Sequence, residues 1–403
     1  MSYYTLPHIS CKINLQNLNL KFDEANEIFI NKTLSKYLNQ VKKNISKHNK
    51  NWDIVKKYTN PYEYIHTPFP NSKYSISKLK PLSRAFFKFI EISNIFDIFN
   101  KYNSKNIKSF HLAEGPGGFI EAIQLLRMNN NDKYYGMTLI DDGNQQVPGW
   151  HKADIFLKKH PNVIIEKGID ETGNIYNPDN FKYCFTNYKN SMDIITADGG
   201  FDFSIDFNKQ EEMACRLIFS QVVYAITMQK KGGHFILKFF DSFMKTSVDI
   251  LYLLGCFYEN VHILKPQTSR YANSEKYIVC MNFKYKDTTN ISNVFHNMLT
   301  TLNHNENKNL TISSILDIII NNRFLVQLKN INAILGYQQM ENILVTLRYI
   351  ENKERKGDKF KNIINKNIQK CISWCKKNKI PYHNIKNTGN IFMNNSNKNE
   401  IIN

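Results

Sequence analysis

Between residues 107 and 285, short apolar runs alternate with stretches of helical spacing, and this alternation constrains the fold more tightly than any other feature. IKSFHLAEG (107–115), YYGMTLI (134–140), NVIIEKGI (162–169), MDIITADGG (192–200), GGHFILKFF (232–240) and KYIVCMNFKY (276–285) read as strands. GFIEAIQLLRM (118–128) and EEMACRLIFSQVVYAITMQ (211–229) read as helices between them. Strands that are apolar along most of their length are covered on both faces. The pattern therefore predicts an α/β fold, a mostly parallel sheet with helices on both sides. Ligands of such sheets sit where the strand C-termini open into loops. The turns at Glu114–Gly118 and Asp198–Gly200 lie at that edge.

Upstream, NPYEYIHTPFPNSKY (60–74) is punctuated by proline and reads as an extended loop. SRAFFKFIEISNIFDIF, from Ser83, has helical spacing. Beyond 290, TISSILDIIINNRFLVQLKNINAIL and the run from ENILVTL to Cys375 show helical spacing and no strand signal. These readings predict an N-terminal extension (1–80), a central α/β domain (81–288) and a helical C-terminal region (289–403) with a frayed tail.

Charge divides the chain in the same way. The 403 residues carry a formal net charge of +18. Residues 1–80 hold 13 lysines and arginines against 5 acids, and residues 291–403 hold 16 against 7, which leaves the centre nearly neutral. Such flanks favour a polyanionic partner, nucleic acid before an anionic membrane surface. The lysine clusters at 42/43/47/50 and 353/355/356/359/361 read as solvated faces that contact an RNA backbone jointly. Seven scattered cysteines without framework spacing predict a reducing, intracellular location. MSYYTLPHIS lacks the profile of a signal peptide, and no apolar run approaches the roughly 20 residues of a membrane span. Cys371 and Cys375 lie one helical turn apart, but no second pair completes a zinc site, so no metal is expected.

The turn Glu114-Gly115-Pro116-Gly117-Gly118 joins a strand to a helix. Its glycines permit close backbone approach, and the helix start favours a negative group. It lacks the GxGxxG spacing and the P-loop lysine, and suits the methionyl part of S-adenosylmethionine better than a pyrophosphate. Glu114 is placed to hold the ammonium of a bound amino acid. Asp141 or Asp142 and Asp170 follow the next two strands and are candidates for ribose and adenine contacts.

Four further ionisable residues stand at informative places. Lys88 lies inside an apolar helix, Asp198 and Lys238 end adjacent strands, and Glu275 precedes the last long strand. A lysine in an apolar strand is costly unless paired or functional. Methylating a sugar hydroxyl requires its oxygen to attack the methyl carbon while losing a proton. A lysine can take that proton only as the neutral amine, a form favoured by desolvation and a second cation. Asp198 and Glu275 read as the groups that orient Lys238 and Lys88.

In order, Lys88, Asp198, Lys238 and Glu275 reproduce the K-D-K-E tetrad, and the chain resembles the FtsJ/RrmJ-type RNA 2'-O-ribose methyltransferases. NPYEYI, SRAFFK, LAEGPGGFIEA, GMTL, GID with GNI, ITADGGFD, GGHFILKFFD and TSRYANSEKYIVC resemble the cap-specific mRNA branch, over roughly residues 60–283. FtsJ-like proteins of large cytoplasmic DNA viruses are also similar, which would imply host cytoplasm and packaging in the virion.

The resemblance implies a Rossmann-like fold that binds S-adenosylmethionine at Gly115, Pro116, Gly117 and Gly118, with Ser83, Asp170 and Asp198 as further contacts. It implies that Lys238 activates the 2'-hydroxyl of the first transcribed nucleotide of capped mRNA, alongside other capping or transcription proteins. One departure stands out. FDFSIDFNKQEE, after Asp198, places no carboxylate at the family's cap-guanine contact, and Asp206 and Glu211 are the nearby substitutes. Trp52, Tyr58, Tyr62, Phe69 and Trp150 are candidates for stacking on a methylated guanine. The alternatives are a methyltransferase for internal ribose positions of structured RNA and a silent RNA-binding scaffold subunit.

Overall fold

The structure, a computed structural model, describes residues 3–10, 13–140, 149–200, 208–305, 308, 310–352 and 357–383. Asp141, Asp142, Asp206, the 353–356 charge cluster and the C-terminal tail lie outside the described residues.

Two strands, β1 (Tyr4–Thr5) and β2 (Leu18–Asp23), precede helices α1 (Lys32–Ser46) and α2 (Asn49–Thr59). The alternation then runs α3 (Ala85–Phe96), β3 (Lys108–Leu112), α4 (Gly118–Arg127), β4 (Lys133–Met137), α5 (Asp154–Lys159), β5 (Val163–Ile165) and α6 (Pro178–Tyr188). It continues through β6 (Met192–Ala197), α7 (Gln210–Met228), β7 (Gln229–Phe239), α8 (Lys245–Phe257), β8 (Tyr258–Leu264) and β9 (Lys276–Phe283). The chain closes with α9 (Thr289–His304), β10 (Thr311–Leu316), α10 (Asn322–Glu351) and α11 (Asp358–Lys377).

Eight strands form one sheet in the order β1-β8-β9-β7-β6-β3-β4-β5. Strands β3 to β7 are mutually parallel, and β9 runs antiparallel between β7 and β8. The two sheet faces alternate along each strand, as the twofold period of a strand requires. Ile195, Phe235, Leu237 and Cys280 pack with α6 to α9 on one face. Ile194, Ile236, Tyr277 and Val279 pack with α3, α4 and Trp374 of α11 on the other.

The flanks fold together rather than trailing from the core. Strand β2 pairs antiparallel with β10, and Ile45, Trp52 and Val55 pack against Ile343, Leu347 and Ile350 of α10. The helical reading of TISSIL is corrected here. The segment pairs as β10, because β2 supplies a partner nearly 300 residues upstream. Strand β8 was also absent from the sequence reading, since YENVHIL carries polar residues at its exposed positions.

Lys42 corrects the reading of its cluster as a solvated face. Leu38, Lys42 and Ile45 are spaced i, i+4 and i+7 and share the buried stripe of α1. The Lys42 ammonium meets Asp241 Oδ2 at 2.6 Å, with 4% and 12% of the two side chains exposed. Burial works to raise the Asp241 carboxyl pKa, but Lys42 and Lys276 hold it below the ordinary range. Lys43, Lys47 and Lys50 are exposed.

Candidate active site

The C-terminal ends of β3, β6 and β7 open into one cavity of about 360 Å³. The glycine turn forms one side. Ala113 leaves β3 at φ 52°, the Gly115–Pro116 peptide is cis, and Gly117 has φ 99°. Gly115 has no room for a side chain, because a Cβ there would lie 2.5 Å from the Gly149 carbonyl oxygen. A Cβ on Gly118 would lie 2.2 Å from Ser83 Oγ, so the turn and the start of the SRAFFK segment touch directly. Gly115, Pro116, Gly118 and Ser83 line the cavity. Gly117 instead backs onto Trp150, whose ring also fills the space over Gly136.

Glu114 borders the cavity, but its carboxylate is already engaged. Oε1 accepts from the Phe119 amide at 3.0 Å, in the first turn of α4, and Oε2 accepts from Thr196 Oγ1 at 2.7 Å with His111 Nδ1 3.1 Å away. Burial pushes its pKa up, against His111. The residue is thus built into the turn. Asp170 does not reach the cavity. It is exposed in the loop after β5 and binds Thr172, Asn177 and Asn180 through its own carboxylate.

The four members of the tetrad all line the cavity. Lys88 Nζ lies 2.7 Å from Glu275 Oε1. Lys238 Nζ lies 3.3 Å from Asp198 Oδ1 and donates to the Asp198 carbonyl oxygen at 2.6 Å. Burial lowers the Lys88 pKa, and the Glu275 carboxylate works against that. For Glu275, burial would raise the pKa, but Lys88, Lys238 and Arg84 hold it well below the usual carboxylate range. Glu275 thus stays ionised beside Lys88, and Ser269 Oγ also donates to it at 2.7 Å.

Several residues that complete the site escaped the sequence reading. Tyr277 pairs in register with Lys238 across β7 and β9, and its hydroxyl donates to Asp198 Oδ1 at 2.6 Å. The period of two from Glu275 could have found it. Arg84 lines the cavity, and its buried Nε has no hydrogen-bond partner among the described residues. Lys265 donates to the carbonyl oxygens of Asn273 and Glu275, each at 2.7 Å, and to Asn273 Oδ1 at 2.9 Å, which fixes the backbone that carries Glu275. Arg270 forks onto Glu63 at 3.0 and 2.6 Å and so ties NPYEYI to the segment before Glu275.

Other candidates are placed elsewhere. Glu211 is buried and accepts from the Phe243 and Met244 amides, each at 2.8 Å, so it presents no carboxylate to a cap guanine. Trp52 is 6% exposed in the contact between the flanks. Tyr58 packs edge-on against Phe360. Tyr62 and Phe69 pack beside the cluster around α3. Cys371 and Cys375 are buried in that same cluster.

The geometry can be compared with known proteins. The profile of the FtsJ-like methyltransferases matches residues 81–283, half of the chain. Over 277 residues the chain is 31% identical to the cap-specific mRNA (nucleoside-2'-O-)-methyltransferase 1 of Xenopus laevis, covering 64% of this chain and 31% of that protein. Over 179 residues it is 37% identical to the Homo sapiens protein of the same name, covering 43% and 21%. Over 228 residues it is 31% identical to the cap-specific mRNA (nucleoside-2'-O-)-methyltransferase 2 of Drosophila melanogaster, covering 51% and 31%. The chain spans less than a third of the length of these curated relatives. With its glycine turn and two lysine–carboxylate pairs inside the matched half, the chain belongs to the FtsJ-like methyltransferase family.

Proposed function

We propose that the chain transfers a methyl group from S-adenosylmethionine to a ribose 2'-hydroxyl of RNA, at the first transcribed nucleotide of capped mRNA. One observation carries this reading: Lys88–Glu275 and Lys238–Asp198 converge on a single cavity beside the glycine turn. The names of the relatives supply the capped substrate.

The residues present fit the donor. The cavity exposes Gly118 at the N-terminal end of α4 together with Ser83, groups that suit a carboxylate, and Arg84 borders it as a cation. Asp198 stands opposite as a partner for a cation. Gly115, Pro116 and Gly118 would hold the amino-acid end, and bound there the donor supplies an electrophilic methyl carbon.

Lys238 takes the hydroxyl proton at Nζ as the oxygen attacks. The Asp198 carbonyl and carboxylate hold that nitrogen in place, and Tyr277 holds the carboxylate. Gly200 leaves the approach open, since even a methyl group there would come within 3.3 Å of Lys238 Nζ. Lys88, paired with Glu275, keeps a second cation beside the reacting oxygen. Among the described residues six cysteines are buried and none is joined in a disulfide, which supports a reducing location.

The test is transfer from labelled donor to capped and uncapped transcripts of one sequence, followed by nuclease mapping. Label on the first ribose of the capped RNA is expected. Label on a base overturns the reaction, and equal labelling of uncapped RNA overturns the cap preference.

A further inference from the structure

A second cavity, about 370 Å³, lies between α10 and the segment that follows β8. It is as large as the catalytic one, and the proposed reaction does not use it. Tyr4, Gln267, Tyr271, Gln338, Glu341 and Asn342 line it, with Leu335 and Val345 as apolar wall.

The two cavities are next-door neighbours. Lys265 lines the second, and its ammonium donates to the backbone of Asn273 and Glu275, both of which line the first. Lys265, Asn273 and Glu275 thus form part of the wall between them, along with a void of about 10 Å³ that Lys265 and Asn273 also line.

The chemistry of the wall selects what that unit presents. Among the described residues Lys265 is the one cation in the lining, and its three donors are directed at three oxygens of the chain. Glu341 adds an exposed negative charge. A phosphate finds no free cation there and meets a carboxylate. Two tyrosine rings and the amides of Gln338, Gln267 and Asn342, the last of which already donates to the Thr59 carbonyl oxygen at 3.3 Å, instead match the face and the hydrogen-bonding edge of an unpaired base. We infer that this groove is a nucleobase subsite, holding a base of the substrate RNA adjacent to the ribose that is methylated. The inference rests on the RNA reading above and gives α10 a direct part in substrate recognition.

The test is binding of a short, fluorescently labelled capped RNA, read by anisotropy, to the full chain and to Val345→Trp, whose indole fills the groove. Val345→Trp is expected to weaken binding about tenfold, the scale of one lost base–aromatic stack. In wild type, an abasic site at one of the first four nucleotides should weaken binding to a similar extent. That same abasic RNA should bind Val345→Trp and wild type within twofold of each other.

Unchanged binding by Val345→Trp overturns the subsite. So does an abasic scan without effect, or an equal loss on intact and abasic RNA. Gln338→Ala, on the exposed side of α10, provides a milder variant whose roughly threefold loss should vanish on the same abasic RNA. Methyl transfer is read separately. Binding that behaves as described without transfer defeats the methyltransferase reading and leaves the groove standing, whereas transfer with a silent abasic scan does the reverse.

Discussion

Lys238 and Lys42 each face an aspartate, at 3.3 and 2.6 Å, with 12% and 4% of their side chains exposed, yet they belong to different regions. Lys238 ends a central strand and borders a cavity of about 360 Å³. Lys42 lies on a flanking helix, and its partner Asp241 borders a void of about 10 Å³, room for one water at most. Burial and pairing alone do not distinguish a reacting lysine from a structural one. Space for a second molecule does.

The comparison can be broken most sharply at its two lysines. Lys238→Ala should lower kcat for methyl transfer by about 10²–10⁴-fold, the usual contribution of a positioned base. The melting temperature should scarcely move. Lys42→Ala should reverse the pattern. It leaves Asp241 buried without its closest cation, so urea unfolding should show a loss of about 3–5 kcal/mol. The folded fraction should keep its kcat. If Lys42→Ala silenced a fully folded protein, the division between reacting and structural lysines would fail.

Acid titration sharpens the same contrast on the side of the carboxylates. Burial opposes ionisation of Glu63, but Arg270 and His66 hold its pKa at about 2. With an unfolded value near 4.5, its stabilisation is complete above that pH and fades as pH falls toward 2. The gap corresponds to about 3 kcal/mol. Glu63→Gln should remove that part of the acid limb in a pH series of denaturant melts. An unchanged limb would show that the Arg270 fork contributes nothing.

The smallest effect belongs to the exposed lysines. Replacing Lys43, Lys47 and Lys50 together by alanine should reduce the salt dependence of RNA affinity by about 0.7 in log–log slope for each lysine that meets a phosphate. Stability should hold. An unchanged slope would show that this edge of α1 and α2 makes no contact with RNA phosphates.

The legible part of the sequence and the illegible part follow the same division. The central alternation could be read because its strands are apolar on both faces, and the tetrad because its members sit at strand ends or inside apolar runs. Asp170 shows that a carboxylate at the correct edge can serve its own loop, as its bonds to Thr172 and Asn180 do. Lys42 departs from its cluster because lysines near one another in sequence need not share one helix face. The Leu38–Lys42–Ile45 spacing carried the opposite message. Strand β10 was hidden because TISSIL continues into a helix-like apolar run and its partner is remote. The order of residues records local preference well and distant pairing poorly.

That pairing sets a timetable for the newly made chain. Leu18 of β2 faces Leu316 of β10, so the first of them leaves the ribosome about 300 residues before the second. At roughly 5–20 residues per second, β2 waits about 15–60 s for its partner. The central domain can collapse during that interval. The basic flanks close only near the end of synthesis, when α10 and then α11 reach the core. A nascent chain that stalls before residue 316 would therefore carry an assembled central sheet without the C-terminal helices that pack on it.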